Sequence, residues 1–276
     1  MAYMEEKLVL FKQTIEKAII AGGAKGKTSA IRSSILINFI HDAVKYELVQ
    51  SGIDENNIFP RLGRTKPEIK LAGLLKQKRQ DICVLPRDIK KSPTVINWGP
   101  LSFENKRDPY GFDFSTRTLA INVRSQMSSL GKNSDTLFER TFAEAQNLHQ
   151  RYHDIVLGEV YLIPTHEYDD KHVKSHKVGF KDRRVNIEKY ISFFNAINNR
   201  KSGGDNYAYE RCALLVVDFR RDVPKLYNNS EELKRDNLIS NDFNIEYETL
   251  AFNNFADDII KIYSSRYDLK KLLKEV

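Results

Sequence analysis

TLAINVRSQMSSLGKNSDTLFERTFAEAQNLHQRYHDIVLGEVYLIP, residues 118–164, is the stretch whose reading decides the fold. TLAINVRSQ at 118–126 is a β-branched run closed by serines, which predicts a strand. Side chains alternate along a strand, so Asn122, Arg124 and Gln126 share one face. Between 134 and 152, Phe138, Thr141 with Phe142, Ala145, Leu148 and Tyr152 recur on one stripe, which predicts an amphipathic helix. IVLGEVYLIP at 155–164 is almost uninterruptedly apolar, as a strand covered on both faces should be.

Upstream, QDICVLP predicts a second strand, opened by Asp81. Before it, residues 4–20 and 33–50 carry apolar residues at helical spacing and predict two amphipathic helices joined by the glycine-rich AGGAKGKTS. Downstream come a helix over 185–198, a strand in CALLVVDF at 212–219 and a helix over 253–275. The expectation is one α/β domain over 1–276, with a helical N-terminal elaboration at 1–60, a core at 69–220 and a C-terminal elaboration at 221–276.

The chain has 276 residues, 41% of them hydrophobic, enough to build a core and to exclude wholesale disorder. No apolar run approaches the roughly 18 residues that span a bilayer, and MAYMEEKLVLFKQ does not read as a signal peptide, so a soluble cytoplasmic protein with no membrane partner follows. Two cysteines, Cys83 and Cys212, sit in apolar runs and read as reduced core residues. The net charge is +7, but residues 61–91 alone carry ten basic against three acidic residues, and residues 171–201 carry nine against two. Cations gathered into two stretches favour a polyanionic partner, nucleic acid first; the plainer alternative is a pair of solvated basic loops.

Several motifs compete for the chemistry. Residues 21–28, AGGAKGKT, satisfy a relaxed phosphate-loop pattern, with LLVVD ending at Asp218 as a possible second motif, but the segment entering the loop reads as helix rather than strand. A glycine-rich helix connection explains it more simply. His166, His172 and His176, with Glu167, Asp169 and Asp170, are the only histidine cluster, in a stretch without helical periodicity that reads as a solvated loop rather than a zinc site. No nucleophile elbow or reactive cysteine setting is visible. The remaining candidate is a metal-dependent phosphodiesterase built on the strand pair: Asp81 at one strand, Asn122, Arg124 and Gln126 on the next, and Glu139 or Glu144 from the following helix.

In this order, helix, strand with Asp81, strand with N-V-R-S-Q, helix, buried strand, the chain resembles the PD-(D/E)XK nuclease superfamily, in particular its type II restriction endonucleases, over residues 69–165 with 212–219 as an outer strand. The resemblance implies a restriction-endonuclease-like mixed β-sheet core flanked by helices, Mg²⁺ as cofactor, and a homodimer cutting double-stranded DNA in a bacterial or archaeal cell. The family's second strand carries an acid-x-Lys; here Asn122 takes the acidic place and Arg124 the lysine place. Some relatives draw the missing carboxylate from the next helix, which implies Asp81 and Glu139 as metal ligands, Arg124 on the phosphate, and Asn122 and Gln126 orienting water or metal. Thr136-x-x-Glu139 reads equally as a capping box. Glu104-Asn-Lys106 is a literal acid-x-Lys 23 residues after Asp81, in surroundings broken by Pro and Gly. Lys76, Lys78, Arg79, Lys181, Arg183 and Arg184 are the expected DNA-phosphate contacts. Two other readings stay open: a DNA-binding protein with a degenerate core, and a nucleotide-dependent protein using residues 21–28.

Overall fold

The predicted strand–helix–strand unit forms the middle of the molecule. A computed structural model describes residues 2–274. Helices α1 (Tyr3–Arg32) and α2 (Ser34–Gln50) lead into strand β1 (Ile58–Phe59), the hairpin β2 (Lys70–Ala72) and β3 (Gln77–Arg79), and strand β4 (Ile82–Val84). An excursion of β5 (Thr94–Val95), α3 (Pro100–Phe103), β6 (Arg107–Asp108) and α4 (Phe112–Thr116) precedes β7 (Leu119–Ser125), α5 (Leu130–His149) and β8 (Val156–Pro164). Then follow β9 (His166–Tyr168), α6 (Asp170–Lys174), β10 (Phe180–Arg184), α7 (Ile187–Ala196), β11 (Arg211–Asp218), β12 (Lys225–Leu226), α8 (Ser230–Arg235) and α9 (Phe255–Ser264).

Among the described residues one six-stranded mixed sheet runs in the order β1-β4-β7-β8-β11-β12. β7, β8 and β11 are mutually parallel, while β4, β1 and β12 run antiparallel to their neighbours. Parallel neighbours require a crossover, and α5 supplies the one from β7 to β8. Leu119, Ile121 and Val123 of β7 and Val156, Val160 and Leu162 of β8 point into a core shared with Phe11, Ile15, Ile40, Val44 and Ile259 of α1, α2 and α9. The intervening Ala120, Leu157, Tyr161 and Leu214 join Ala145, Leu148, Tyr190 and Phe194 of α5 and α7 on the other face. Every residue of β8 and β11 is buried, so these strands carry little hydropathy alternation. Each large side chain so placed contributes roughly 1.5–3 kcal/mol.

The α/β class and the mixed sheet between helices follow the expectation. Several local readings do not. The glycine-rich stretch is helical and belongs to α1, with a kink at Gly23, where φ is 53°. That left-handed φ favours glycine, and an added Cβ would lie 3.0 Å from His176 Nε2. Helix α5 starts at Leu130 rather than 134, so Thr136 and Glu139 lie inside it and form no capping box. The backbone N–H of Leu130 instead donates to Glu167 Oε1 at 3.2 Å, a cap from 37 residues away that local sequence cannot announce. β11 is an inner strand, because Val217 and Asp218 pair with the short β12. The C-terminal helix ends at Ser264, followed by a 3₁₀ turn over Leu269–Lys271. The N-terminal helices stop at Gln50, and Ile58–Phe59 already belong to the sheet. Cys83 and Cys212 are free and buried. No helix among the described residues is long and apolar enough to cross a membrane.

Candidate active site

The two core faces fix where polar side chains on the central strands must go. Ala120 faces α5, so period-2 alternation sends Asn122 and Arg124 the same way, and Leu157 and Tyr161 do likewise for Glu159. The parallel register sets Asn122 opposite Glu159 and Arg124 opposite Tyr161. Glu159 is in turn opposite Cys212. On the other side Ile82 pairs with Ile121, so Asp81, one residue earlier, falls beside Asn122. Strand β4 begins too late to cover the Val123 N–H, and Asp81 Oδ2 accepts that proton at 2.9 Å. Asp81, Asn122 and Glu159 thus form one polar row across three strands, under α5.

Helix α5 and the β2–β3 hairpin close over this row. Thr141, Ala145 and Leu148 are the buried stripe of α5, and Glu144 lies beside that stripe. Lys78 Nζ, from β3, is 3.2 Å from Asn122 Oδ1 and 2.5 Å from Glu144 Oε2. The Arg124 guanidinium donates to Thr141 Oγ1 at 2.6 Å, approaches Glu159 Oε1 at 3.3 Å and pairs with Glu144. Three carboxylates, of Asp81, Glu144 and Glu159, therefore meet two cations. Glu159 is fully buried, and neither of its oxygens has a well-formed hydrogen bond among the described residues. Burial raises its carboxyl to about 7, against the pull of Arg124 and Lys78. Burial, with Arg124 adding repulsion, brings the Lys78 ammonium down to about 8. Burial opposes the charge on Arg124, but Glu159, Tyr209, Asp81 and Tyr161 together outweigh it and hold the guanidinium above its ordinary value.

Asn122 and Glu159 are buried, and what reaches the surface is the cover of the row. The side chains of Lys78, Arg124 and Glu144 each keep about a fifth of their surface exposed. Arg124 also lines a cleft of 350 Å³ with Ser125 and Tyr161, facing Arg32, Ser33 and Ser34 where α1 meets α2. A phosphate entering there would meet two arginines and the N-terminus of the 17-residue α2.

The expected site residues are distributed unevenly. Asp81, Asn122 and Arg124 come together. Gln126 lies just past β7, where its Oε1 accepts from the hydroxyls of Tyr161 at 3.1 Å and Tyr190 at 2.7 Å, so it is held by tyrosines. Glu139 is exposed and makes no hydrogen bond or ion pair among the described residues; five residues on, Glu144 is the acid that α5 turns to the strands. Glu104 and Lys106 are exposed between β5 and β6 and pair with each other at 3.8 Å. Lys78, expected on a phosphate, points into the polar row, while Arg79 is exposed near Glu68 at 3.7 Å and Lys76 is exposed. Lys27 of the glycine-rich stretch is engaged by Asp170 at 3.2 Å, and Asp218 is taken up by Thr165 and Arg220.

The histidine stretch is β9 and α6 rather than a loop, and its histidines serve separate partners: His166 approaches Thr165, His172 pairs with Asp169, and His176 bonds the Ile20 carbonyl. Among the described residues no group of three or more His, Cys, Asp or Glu is assembled to hold a metal ion. Glu159 is the residue that sequence reading missed. Its one signal was an acid in the middle of an otherwise apolar ten-residue run.

Comparison of the chain with protein-family profiles, with curated proteins and with solved structures finds no match.

Proposed function

We propose that this protein is a sequence-specific endonuclease that hydrolyses phosphodiester bonds of double-stranded DNA with Mg²⁺, in the manner of type II restriction enzymes, and acts as a homodimer. The observation that carries the reading is the polar row Asp81–Asn122–Glu159 across β4, β7 and β8, with Arg124, Lys78 and Glu144 above it and a cleft beside Arg124. Carboxylates, an amide carbonyl and two cations at neighbouring strands suit attack on a phosphodiester better than acyl transfer, which needs a nucleophile–base pair.

Mg²⁺ prefers hard oxygen donors and is commonly held by one or two carboxylates plus waters. The Glu159 carboxylate, which meets Arg124 at 3.3 Å without a well-formed hydrogen bond, and the carboxylate of Asp81 fit that demand, while a closed cage of three acids does not occur among the described residues. Asp81 and Glu159 would hold the ion, which when bound would polarise a phosphate oxygen and lower the pKa of a coordinated water. Arg124, reachable from the cleft, neutralises charge on the phosphate. Lys78 donates toward the same space, as a lysine from a neighbouring hairpin in place of one on β7. Glu144 fixes both cations against the strands.

Incubating the protein with a sequenced plasmid and Mg²⁺ tests this. Discrete fragments, lost in Asp81→Asn, are expected; intact plasmid under all metal conditions overturns it. The second reading, a DNA-binding protein with a degenerate core, is favoured by the engagement of Arg124 with two glutamates, which ties it up without a substrate. Tight binding of uncut DNA by the wild type would select it.

A further inference from the structure

A second groove on the surface lies away from the polar row. It encloses 890 Å³ between the start of α5, strand β10 and the start of α7. Five cations line it: Lys132, Lys181, Arg183, Arg184 and Lys189. Its two acids, Glu167 and Glu188, are already engaged. Glu167 caps Leu130 N–H and pairs with Lys181 at 2.9 Å, and Glu188 accepts from the backbone N–H and hydroxyl of Ser240 at 2.6 and 2.7 Å. Lys189 is held by Asp135 at 2.5 Å. Lys132, Arg183 and Arg184 remain exposed, and none makes an ion pair among the described residues. Strict alternation would send the adjacent Arg183 and Arg184 to opposite faces. The register between β9 and β10 shifts between Phe180 and Arg184, and both arginines reach the groove.

We infer that this groove is a second, non-scissile contact for the backbone of duplex DNA, with Lys132, Arg183 and Arg184 each neutralising a phosphate; the inference rests on the nuclease reading for its ligand. A small phosphorylated metabolite would call for buried donors converging on one point. Three exposed cations, two of them neighbours on β10 and one on α5, suit a polyanion instead, whose charges are themselves spaced out. Helix α5 joins the two regions, with Lys132 in its first turn and Glu144 at the polar row. Twelve residues at 1.5 Å each separate them by roughly 18 Å along the helix axis. For a duplex lying along α5, at 3.4 Å per base pair, the groove would meet phosphates on the order of five base pairs from the cleaved bond.

The test uses Asp81→Asn, with and without the further changes Lys132→Gln, Arg183→Gln and Arg184→Gln, binding a mixed-sequence 30-base-pair duplex over a range of KCl. Thermal melting first verifies that the triple change leaves the fold intact. The log–log salt slope is expected to flatten by about 2–3, near 0.9 for each phosphate no longer neutralised. An unchanged slope overturns the inference even if the wild type cleaves plasmid. A flattened slope in a protein that cuts nothing leaves the groove standing and removes the nuclease reading. Competition by inorganic phosphate beyond its ionic strength would show a small-anion site and overturn the duplex assignment.

Discussion

Glu159→Gln gives the sharpest test of how the candidate site is held. The carboxyl is fully buried, and its pKa is raised from 4.5 to about 7. A raised carboxylate pKa means the folded state keeps its proton where the unfolded chain has lost it. Stability from this group is therefore present at low pH and drains away as pH climbs from about 4.5 to about 7. At 1.36 kcal/mol per pH unit, the ionised carboxylate costs about 3 kcal/mol at pH 8 and under about 1 kcal/mol at pH 5. Glutamine resembles the protonated acid in shape and carries no charge. The variant should thus melt roughly 5 °C above wild type at pH 8 and within about 2 °C of it at pH 5, taking an unfolding entropy near 2.1 cal/mol/K per residue. Equal differences at the two pH values, or a less stable variant at pH 8, would refute the reasoning, since the attraction to Arg124 and Lys78 would then outweigh burial.

The same pair of proteins reports on the metal. A cation that binds Asp81 and Glu159 stabilises the folded state by mass action, about 1.4 kcal/mol at a concentration tenfold above its dissociation constant. Titrating Mg²⁺ at pH 8 should raise the wild-type melting temperature by roughly 2 °C and leave Glu159→Gln nearly unmoved. A matching rise in both would place the ion elsewhere.

On the proposed reading, Asp81→Asn should lower plasmid cleavage by on the order of a thousandfold, because it would remove a charge from the bound ion and not merely a hydrogen-bond acceptor; cleavage rates with Mg²⁺ settle it. Glu139→Gln should leave cleavage within about twofold of wild type, whereas Glu144→Gln, which unties Lys78 and Arg124, should reduce it about tenfold or more in the same assay. Gly73→Ala should destabilise the protein by about 1–3 kcal/mol in urea denaturation, because the added Cβ would overlap the Asn147 side chain. Asn147 accepts the N–H groups of Leu75 and Lys76 and so anchors the hairpin that presents Lys78, which should make this variant lose cleavage as well as stability.

The parts of the fold that were legible are those written in local periodicity. TLAINVRSQ and IVLGEVYLIP gave strands close to Leu119–Ser125 and Val156–Pro164, and the Thr141, Ala145, Leu148 stripe lies on the buried face of α5. The start of α5 was not legible, because Glu167 caps it from a distant strand while Thr136-x-x-Glu139 offers a plausible local cap. The glycine-rich 21–28 stretch misled for a related reason. Packing of α1 against α2 and α6 outweighs the unfavourable helix propensity of its glycines, and Gly23 absorbs the kink.

The site was legible only along single strands. Asp81, Asn122 and Arg124 follow from strand position and period-2 alternation, but Glu159 becomes their neighbour through a parallel register set 37 residues later, across a helix. Lys78 arrives from a hairpin whose placement depends on Asn147. Neither relation leaves a spacing signature, so a motif search on β7 alone finds Asn and Arg where the resemblance to the nuclease superfamily implies an acid and a lysine. Across the sheet, the same two chemical groups are present one strand or one hairpin away: a carboxylate facing Asn122, and an amine within 3.2 Å of its carbonyl. What a hydrolytic centre constrains is the position of charge around a phosphate, not which strand delivers it, and a packed sheet offers several routes to the same point. That distinguishes the two readings of this core by residue. If the relocated groups work, Glu159→Gln and Lys78→Met should each abolish cleavage as thoroughly as Asp81→Asn; if the core is degenerate, all three variants should bind DNA as the wild type does and none should differ in cutting it.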